Sequence, residues 1–335
     1  MEERKSSFFV NFFRLLSGSA TYGREVLYQR RFIKNQLGKL FSEAQTADRT
    51  IKASDVKRMQ NYALLTATVL GENYATLRGQ PLSESERITQ TYLGALTPLF
   101  DDYFDQESQK ENPVKAMMDD PFGFPAKKER EKLFCKLLQQ IHRTMPGREA
   151  IFQTAHEVFR TQKESLKQLE KTTDRAAIWQ VSLDKGGQAA LLFRQVMDNP
   201  LKPEEEHAIW QWGAVIQLLD DTFDIYEDFK AGIRTVATTS QDMEVYAKEV
   251  TQHIDELVRL FRALPYPDAR VQKALNKMMF IVCWAWVALE QFQKLQRKNG
   301  PPFKLNQFQR KELICDMAKL SNQLKGGISY CRYGF

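Results

Sequence analysis

The chain has 335 residues, of which 43% are hydrophobic, and its formal net charge is +6. So many apolar side chains can bury one large or two moderate cores, which argues against a disordered chain. Glycine and proline are sparse, at 16 and 12 residues, and no stretch shows the alternation and tight-turn residues of a β-hairpin. The composition and pattern therefore favour an all-α protein.

Apolar residues recur at three- and four-residue steps through most of the chain, as in amphipathic helices. Helix starts and stops are marked by a serine N-cap in SESER, a proline in NPLKPEEEHAIW and the sequence RKNGPPF. None of these boundaries resembles a flexible linker, so we expect a single domain over residues 1–335. The predicted helices cover residues 22–45, 53–78, 84–106, 128–143, 148–170, 175–197, 203–230, 241–263, 268–297 and 307–326.

The cysteines and the apolar runs indicate the compartment. The four cysteines are scattered without the paired spacing of a zinc site or a disulfide framework, and we expect reduced, buried thiols. The N-terminal FFVNFFRLL is interrupted by Asn11 and Arg14 and no small-residue cleavage site follows, so a signal peptide is not predicted. The longest apolar run, residues 278–289, is shorter than the roughly 20 residues that cross a bilayer. A cytoplasmic protein is expected.

Basic residues are spread along the chain rather than gathered in one arm. This distribution argues against nucleic-acid binding, although a basic pocket for an anion fits it equally well.

A first acidic cluster lies in LFDDYFDQ, directly after an apolar run. Asp101, Asp102 and Asp105 fall within five residues at the end of a predicted helix. A solvated helix terminus is the ordinary interpretation of such a cluster.

A second cluster lies in QLLDDTFDIYEDFKAGIRT, again after an apolar helical pattern. Its carboxylates recur at three- and four-residue steps, which places several of them on one helix face where they repel one another. A cation would offset this repulsion if the face pointed toward a core. The cluster consists of Asp220, Asp221, Asp224, Glu227 and Asp228.

Two acidic helix ends that face each other would suit magnesium. Mg²⁺ prefers octahedral oxygen ligands and is usually held by one or two carboxylates plus substrate phosphates. Such a metal stabilises a diphosphate leaving group as a Lewis acid. A calcium loop is disfavoured because its ligand spacing is missing, and a di-iron site because no histidine stands in a Glu-x-x-His pair.

The two clusters together resemble a known superfamily. DDYFD resembles the first aspartate-rich motif, DDxxD, of the class I isoprenoid synthases, and DDTFDIYED resembles their second acidic motif, 119 residues further on. The resemblance implies an isoprenoid synthase-type helical bundle around a central apolar cavity, a prenyl diphosphate substrate and Mg²⁺. It also implies catalytic roles for Asp101, Asp105, Asp220 and Asp224, and metal binding by these four together with Asp102, Asp221, Glu227 and Asp228.

Within the superfamily, no arginine pair follows the first motif, which disfavours chain-elongating prenyltransferases. The all-carboxylate second motif resembles squalene and phytoene synthases and also the bacterial large-terpene synthases of the tetraprenyl-β-curcumene synthase kind. The stretch SLDKGGQAALLF is more similar to the latter. Its Gly186 and Gly187 would either kink a helix and aim Lys185 into a cavity, or allow close helix packing.

The resemblance also suggests residues that contact the substrate. Candidates for the diphosphate are Lys185, Arg234, Arg175 and the terminal pair Arg332 and Tyr333. Aromatic rings can stabilise an allylic cation, although most rings at helical spacing are core packing. The candidate rings are Phe100, Phe104, Trp179, Trp212, Phe223, Trp284 and Trp286.

The sequence therefore predicts a Mg²⁺-dependent class I terpene synthase that ionises a prenyl diphosphate and cyclises or eliminates from the cation. Two alternatives stay open: head-to-head condensation of the squalene or phytoene type, and a non-catalytic helical interaction protein. A peripheral membrane contact for a lipophilic substrate or product and a homodimer are further expectations.

Overall fold

The computed structural model describes residues 7–105, 113–145 and 147–333, with only the backbone of Asp105. In this part of the chain the regular structure is entirely helical, which confirms the all-α prediction. Short π and 3₁₀ segments lie at Thr66–Gly71, Leu166–Leu169 and Leu305–Gln307. The α-helices are α1 (Phe8–Ala47), α2 (Ala53–Leu65), α3 (Glu72–Arg78), α4 (Glu84–Asp105), α5 (Val114–Asp119), α6 (Glu129–Thr144), α7 (Glu149–Ser165), α8 (Arg175–Gln195), α9 (Pro203–Phe223), α10 (Ile225–Ala231), α11 (Val236–Thr239), α12 (Met243–Arg262), α13 (Asp268–Asn299), α14 (Arg310–Leu313) and α15 (Leu320–Tyr333).

The helices form two compact units. The first comprises the described residues up to Ser19 together with Glu164–Ala190 and those from Lys202 onward, and the second comprises Ala20–Lys163 and Leu191–Leu201.

In the second unit, α4 packs against both α2 and α6. Met59 and Phe134 are fully buried there, as expected for apolar residues at helical spacing. Helix α2 continues through the π segment into α3, and the hydroxyl of Thr66 donates to the Tyr62 carbonyl at 2.8 Å. This helix and α4 are in close contact, since a Cβ added at Gly94 would lie 2.8 Å from the Ala63 Cα.

In the first unit, α12 packs against α9 and α13, and α13 also packs against α15. The buried Tyr246 hydroxyl joins α12 to α9 by a 2.6 Å hydrogen bond with the Thr222 hydroxyl. This packing holds the end of α9, where the second acidic cluster begins.

The predicted helix over 307–326 is wrong. A 3₁₀ turn, α14 and the start of α15 occupy this range, and residues 314–316 between them are not helical. The side chain of Gln291 on α13 donates to the carbonyls of Glu312 at 2.7 Å and Ile314 at 3.3 Å. These carbonyls accept hydrogen bonds from a side chain of another helix instead of continuing the helical hydrogen bonds. Helix α14 therefore ends at Leu313, and α15 begins at Leu320.

The four cysteines are buried and none is in a disulfide, as predicted. Within the described residues, no helix combines the length and apolar character needed to cross a bilayer.

Candidate functional site

The second acidic cluster lies at the junction of α9 and α10. The sequence predicts one helix over 203–230, but α9 ends at Phe223 and α10 begins at Ile225. The helical path nevertheless runs through the junction, since the Asp224 amide donates to the Asp220 carbonyl and the Asp228 amide to the Asp224 carbonyl, both at 2.9 Å. Asp220, Asp224 and Asp228 are therefore four residues apart along one side of this segment.

These carboxylates differ in their surroundings. Asp220 and Asp224 are exposed and Asp228 is half-buried. Asp221 is buried, and its two oxygens accept hydrogen bonds from the Ser182 hydroxyl and the Gln217 amide, each at 2.9 Å. The Gln217 amide also donates to Asp220 at 3.2 Å. Asp221 is thus fixed by neighbours on α8 and α9.

The crowding raises the pKa of four carboxyl groups. Burial, followed by repulsion from Asp221, Asp224 and Asp220, raises the pKa of Asp228 to about 8. The pKa values of Asp221 and Asp224 rise to about 6, in both cases chiefly through desolvation. Water reaches Asp220, yet surrounding protein atoms desolvate its carboxylate enough to raise its pKa as well. The charge of Lys185 opposes this rise at Asp220, Asp221 and Asp228 without cancelling it.

Lys185 is held near the cluster by a glycine contact between α8 and α9. Helix α8 is unbroken at Gly186 and Gly187, so these glycines allow close helix packing and do not kink the helix. A Cβ added at Gly186 would lie 2.3 Å from the Gly213 carbonyl oxygen, and one at Gly187 would lie 2.3 Å from the Trp210 ring. Neither position tolerates a side chain without a shift of the backbone or the ring.

Glu227, the fifth carboxylate, forms an exposed ion pair with Arg310 of α14. The Arg310 Nε and Nη2 atoms donate to the same Glu227 oxygen at 3.2 and 3.1 Å. Glu227 therefore differs from the other four carboxylates in having an arginine partner.

The first acidic cluster lies at the end of α4, in the second unit. Asp102 was expected as a metal ligand, but both of its carboxylate oxygens accept from arginines: Oδ1 from Arg58 of α2, and Oδ2 from Arg130 of α6 at 2.8 Å. Arg130 also bonds Asp55 at 3.0 Å. Burial lowers the pKa of Arg58, but the hydrogen bond and charge of Asp102 outweigh this effect, and the pKa is raised overall. The charge of the half-buried Asp101 adds a smaller contribution in the same direction. The Asp105 side chain lies outside the described structure.

Two predicted diphosphate-binding arginines have protein partners. The Arg234 Nη1 donates to the carbonyls of residues 170, 171 and 173 at 2.9, 3.1 and 2.6 Å. These hydrogen bonds stabilise the turn before α8. Arg175, the first residue of α8, forms a two-pronged ion pair with Glu249 at 3.0 and 2.5 Å.

The C-terminal pair lies on α15, which is helical to Tyr333. Arg332 is exposed, and the Tyr333 ring packs at 5.0 Å against that of Trp286. Tyr330 is fully buried, so this segment packs against the rest of the protein.

The predicted aromatic residues have mixed environments. Phe100 and Phe104 are buried, with ring centroids 5.2 Å apart. Trp212 is fully buried, and its indole N–H has no hydrogen-bond partner among the described residues. Trp179 stacks on His253, with ring centroids 5.3 Å apart. Trp284 is exposed at its position on α13. Their expected location around a central cavity stays a prediction, as does the expected facing arrangement of the two acidic clusters.

Sequence reasoning missed the residues that orient these carboxylates. Gln217 precedes Asp220 and Asp221 by three and four residues, a spacing that could have revealed its hydrogen bonds. Ser182, Arg58 and Arg130 come from distant parts of the chain and carry no such signal. Among the described residues, no three His, Cys, Asp or Glu side chains are grouped as a ready-made metal site.

No protein-family model matches the chain, and neither a search of curated proteins nor a search of solved structures finds a match.

Proposed function

We propose that the protein is a class I terpene synthase that uses Mg²⁺ to ionise a prenyl diphosphate and then cyclises or eliminates from the allylic cation. The observation that carries this proposal is the row of Asp220, Asp224 and Asp228 at the α9–α10 junction, two of them open to water. The proposal also rests on the resemblance of this motif, and of the first acidic cluster, to the two metal-binding motifs of that superfamily.

The donor set of the second cluster suits magnesium. All candidate ligands are carboxylate oxygens, which hard divalent cations prefer, and their mutual repulsion is the kind that a bound cation relieves. We assign Asp220, Asp224 and Asp228 as ligands, with Glu227 available if it leaves Arg310. When bound, Mg²⁺ would stabilise the negative charge of the departing diphosphate.

Residues around these ligands would orient them. Asp221 already accepts hydrogen bonds from Ser182 and Gln217, so we assign it a positioning role in addition to the metal-binding role that the motif suggests. Lys185 would place its positive charge near the diphosphate oxygens, since it is close enough to counteract part of the rise that burial causes in the pKa of Asp220.

For the first cluster we assign metal binding to Asp101 and Asp105. Asp102 is bound by two arginines, and we assign it the role of fixing the end of α4 against α2 and α6. An arginine-bound carboxylate is a poor metal ligand unless the arginines leave, because its oxygens already accept charge-assisted hydrogen bonds.

The remaining parts of the proposal concern the substrate. A prenyl chain would lie among apolar and aromatic side chains that exclude water, and rings such as Phe100 and Phe104 would stabilise the cation. A cytoplasmic location and a homodimer belong to the same proposal.

The test is incubation of the full chain with Mg²⁺ and a panel of prenyl diphosphates, with measurement of released diphosphate and of product mass. Ionisation predicts Mg²⁺-dependent diphosphate release. A product with the carbon count of one substrate indicates cyclisation or elimination, and a product with twice that count indicates head-to-head condensation. No release with any substrate would leave the interaction protein as the better interpretation.

Variants connect the activity to the two clusters. Asp101→Ala and Asp224→Ala should abolish diphosphate release, because each removes a proposed metal ligand. Asp224→Ala should not lower the melting temperature, because it removes one of several carboxylates that repel one another. Asp119→Ala is the matched control, since Asp119 is an exposed carboxylate outside both clusters. Equal loss of activity in the control, or a lower melting temperature of Asp224→Ala, would contradict the assignment.

A further inference from the structure

Helix α1 begins with a row of exposed aromatic and aliphatic side chains. Phe9 and Phe13 are 73% and 68% exposed, and Phe8, Phe12 and Leu16 are also exposed. At 100° per residue these five side chains occupy about 140° of the helix circumference, and so form one continuous face. We call them the α1 apolar face. Single exposed apolar residues are ordinary, but a contiguous group of this size marks an interaction surface.

The orientation of this face is fixed by packing on the other side of the helix. The buried Asn11 side chain donates to the Cys331 carbonyl of α15 at 3.1 Å. A Cβ added at Gly18 would lie 2.7 Å from the Phe280 ring of α13, and one at Gly327 of α15 would lie 3.5 Å from Leu15. Asn11, Leu15 and Gly18 are thus the packing side of α1. Phe9 and Phe13 lie about half a turn of the helix away from them, so they cannot be buried by a rotation of α1 that keeps these contacts.

Helix α15, which α1 contacts, carries a second exposed apolar row. Leu320, Leu324 and Ile328 are spaced by four residues and are all exposed. Its buried side is occupied by Asn322, Gly326 and Tyr330. The first turns of α1 and helix α15, which both belong to the first unit, therefore both present apolar side chains to solvent.

The charge around these rows identifies the partner. Around the α15 row lie three exposed basic residues, Lys319, Lys325 and Arg332, and two exposed acids, Asp316 before α15 and Glu290 of α13, whose charge interacts with that of Lys325. Residues 7–19 contain Arg14 and no acidic residue, so basic residues outnumber acidic ones over the two rows. A surface that is apolar and basic is complementary to a lipid bilayer with anionic headgroups. It is poorly suited to a symmetric contact with a second copy, because an isologous interface would bring the same basic residues together.

We propose that α1 and α15 dock the protein on an anionic membrane surface, with the α1 apolar face and the Leu320, Leu324 and Ile328 row inserted at the headgroup level and the α15 basic residues on the lipid phosphates. This inference does not depend on the proposed enzymatic function. It requires neither Mg²⁺ nor a prenyl diphosphate.

The test is co-sedimentation of the full chain with two kinds of vesicle, one of phosphatidylcholine alone and one that also contains phosphatidylglycerol, without metal or prenyl diphosphate. The wild-type chain should bind the anionic vesicles more tightly, and added salt should weaken that binding. The double variant Phe9→Ser with Phe13→Ser should lose at least about tenfold in affinity per ring, because each exposed ring would be buried in the interface. The pair Lys319→Gln and Lys325→Gln should weaken binding to anionic vesicles by about fivefold per lysine.

Two controls make the outcome decisive. Val245→Ser replaces an exposed apolar residue of α12, outside the proposed surface, and should bind vesicles as the wild type does. Unchanged melting temperatures of all variants exclude loss of folding as the cause. The proposal is overturned if the wild-type chain does not co-sediment with either kind of vesicle, or if the phenylalanine variant binds anionic vesicles as tightly as the wild type does. It is also overturned if sedimentation velocity shows that these phenylalanines hold a dimer together and vesicles are not bound.

Discussion

Replacing Asp228 by asparagine should stabilise the metal-free protein at alkaline pH. Asp228 is half-buried on α10, and its burial, followed by the charges of Asp221, Asp224 and Asp220, disfavours its ionisation. Asparagine has nearly the same shape and no charge. The variant therefore removes the repulsion while it preserves the packing.

The magnitude follows from the pKa of Asp228, which is raised from 3.8 to about 8. At about 1.4 kcal/mol per pKa unit, this shift sets an upper limit of about 6 kcal/mol. We expect about 2 kcal/mol, because the neighbouring carboxyl groups titrate over the same range and share the repulsion.

The sign depends on pH. A raised pKa means that the folded state binds the proton more tightly than the unfolded state does, so this stabilisation is present at low pH. It is lost as the pH rises from about 4 to about 8, where the unfolded chain is ionised and the folded carboxyl group must ionise too. The asparagine variant does not undergo this loss, and its advantage should grow over the same window.

The assay is urea unfolding followed by circular dichroism in the presence of a chelator, at about pH 5 and about pH 9. The control is Glu227→Gln, which removes an exposed ion pair with Arg310 and should cost at most about 1 kcal/mol. If Asp228→Asn is no more stable than the wild type at the higher pH, burial and the neighbouring carboxylates do not disfavour the ionised form of Asp228.

Three other substitutions test separate parts of the structure. Asp102→Ala should lower the unfolding free energy by about 2 kcal/mol in urea titrations, because two partly buried arginines lose their shared partner; a neutral effect would contradict the positioning role. Gly213→Ala should cost about 3 kcal/mol, because the new Cβ would lie 2.1 Å from a carbonyl oxygen of α8. Gly23→Ala, in an open part of α1, is its control and should be neutral or stabilising by about 0.5–1 kcal/mol. Arg332→Ala should reduce diphosphate release and leave the melting temperature unchanged, since the side chain is exposed; full activity would show that this arginine does not bind the substrate.

Local sequence patterns predicted most of the helices. The apolar periodicity and the serine before Glu84 placed the start of α4 at the observed residue. The start of α1 was missed by fourteen residues, because its packing side consists of a polar Asn11 and a small Gly18 as well as Leu15. Only the contacts with α13 and α15 show why such residues form a packing side. The periodicity of the 307–326 segment was likewise overridden by the distant Gln291.

The candidate site was predictable in composition and not in detail. The sequence identifies all five carboxylates of the second cluster, since they follow one another at helical spacing. It does not indicate which carboxylates of the two clusters accept hydrogen bonds from other side chains. Asp102 is paired with residues 44 and 28 positions away, and Asp221 with a serine 39 positions away. Such pairs are made by the packing of helices, which a pattern in one segment does not encode.

The close contact of α8 and α9 restricts how this sequence can vary over evolution. A Cβ added at Gly186 would collide with the Gly213 carbonyl, and one added at Gly213 would collide with the Gly186 carbonyl. The Cβ at Gly186 would also lie 2.6 Å from the Gln217 side chain. A larger residue at either glycine would push the helices apart. That movement would displace Lys185 and the amide that holds Asp220 and Asp221. Functional relatives of this chain should therefore show correlated substitutions at positions 186, 213 and 217, with a gain of volume at one matched by a loss at another.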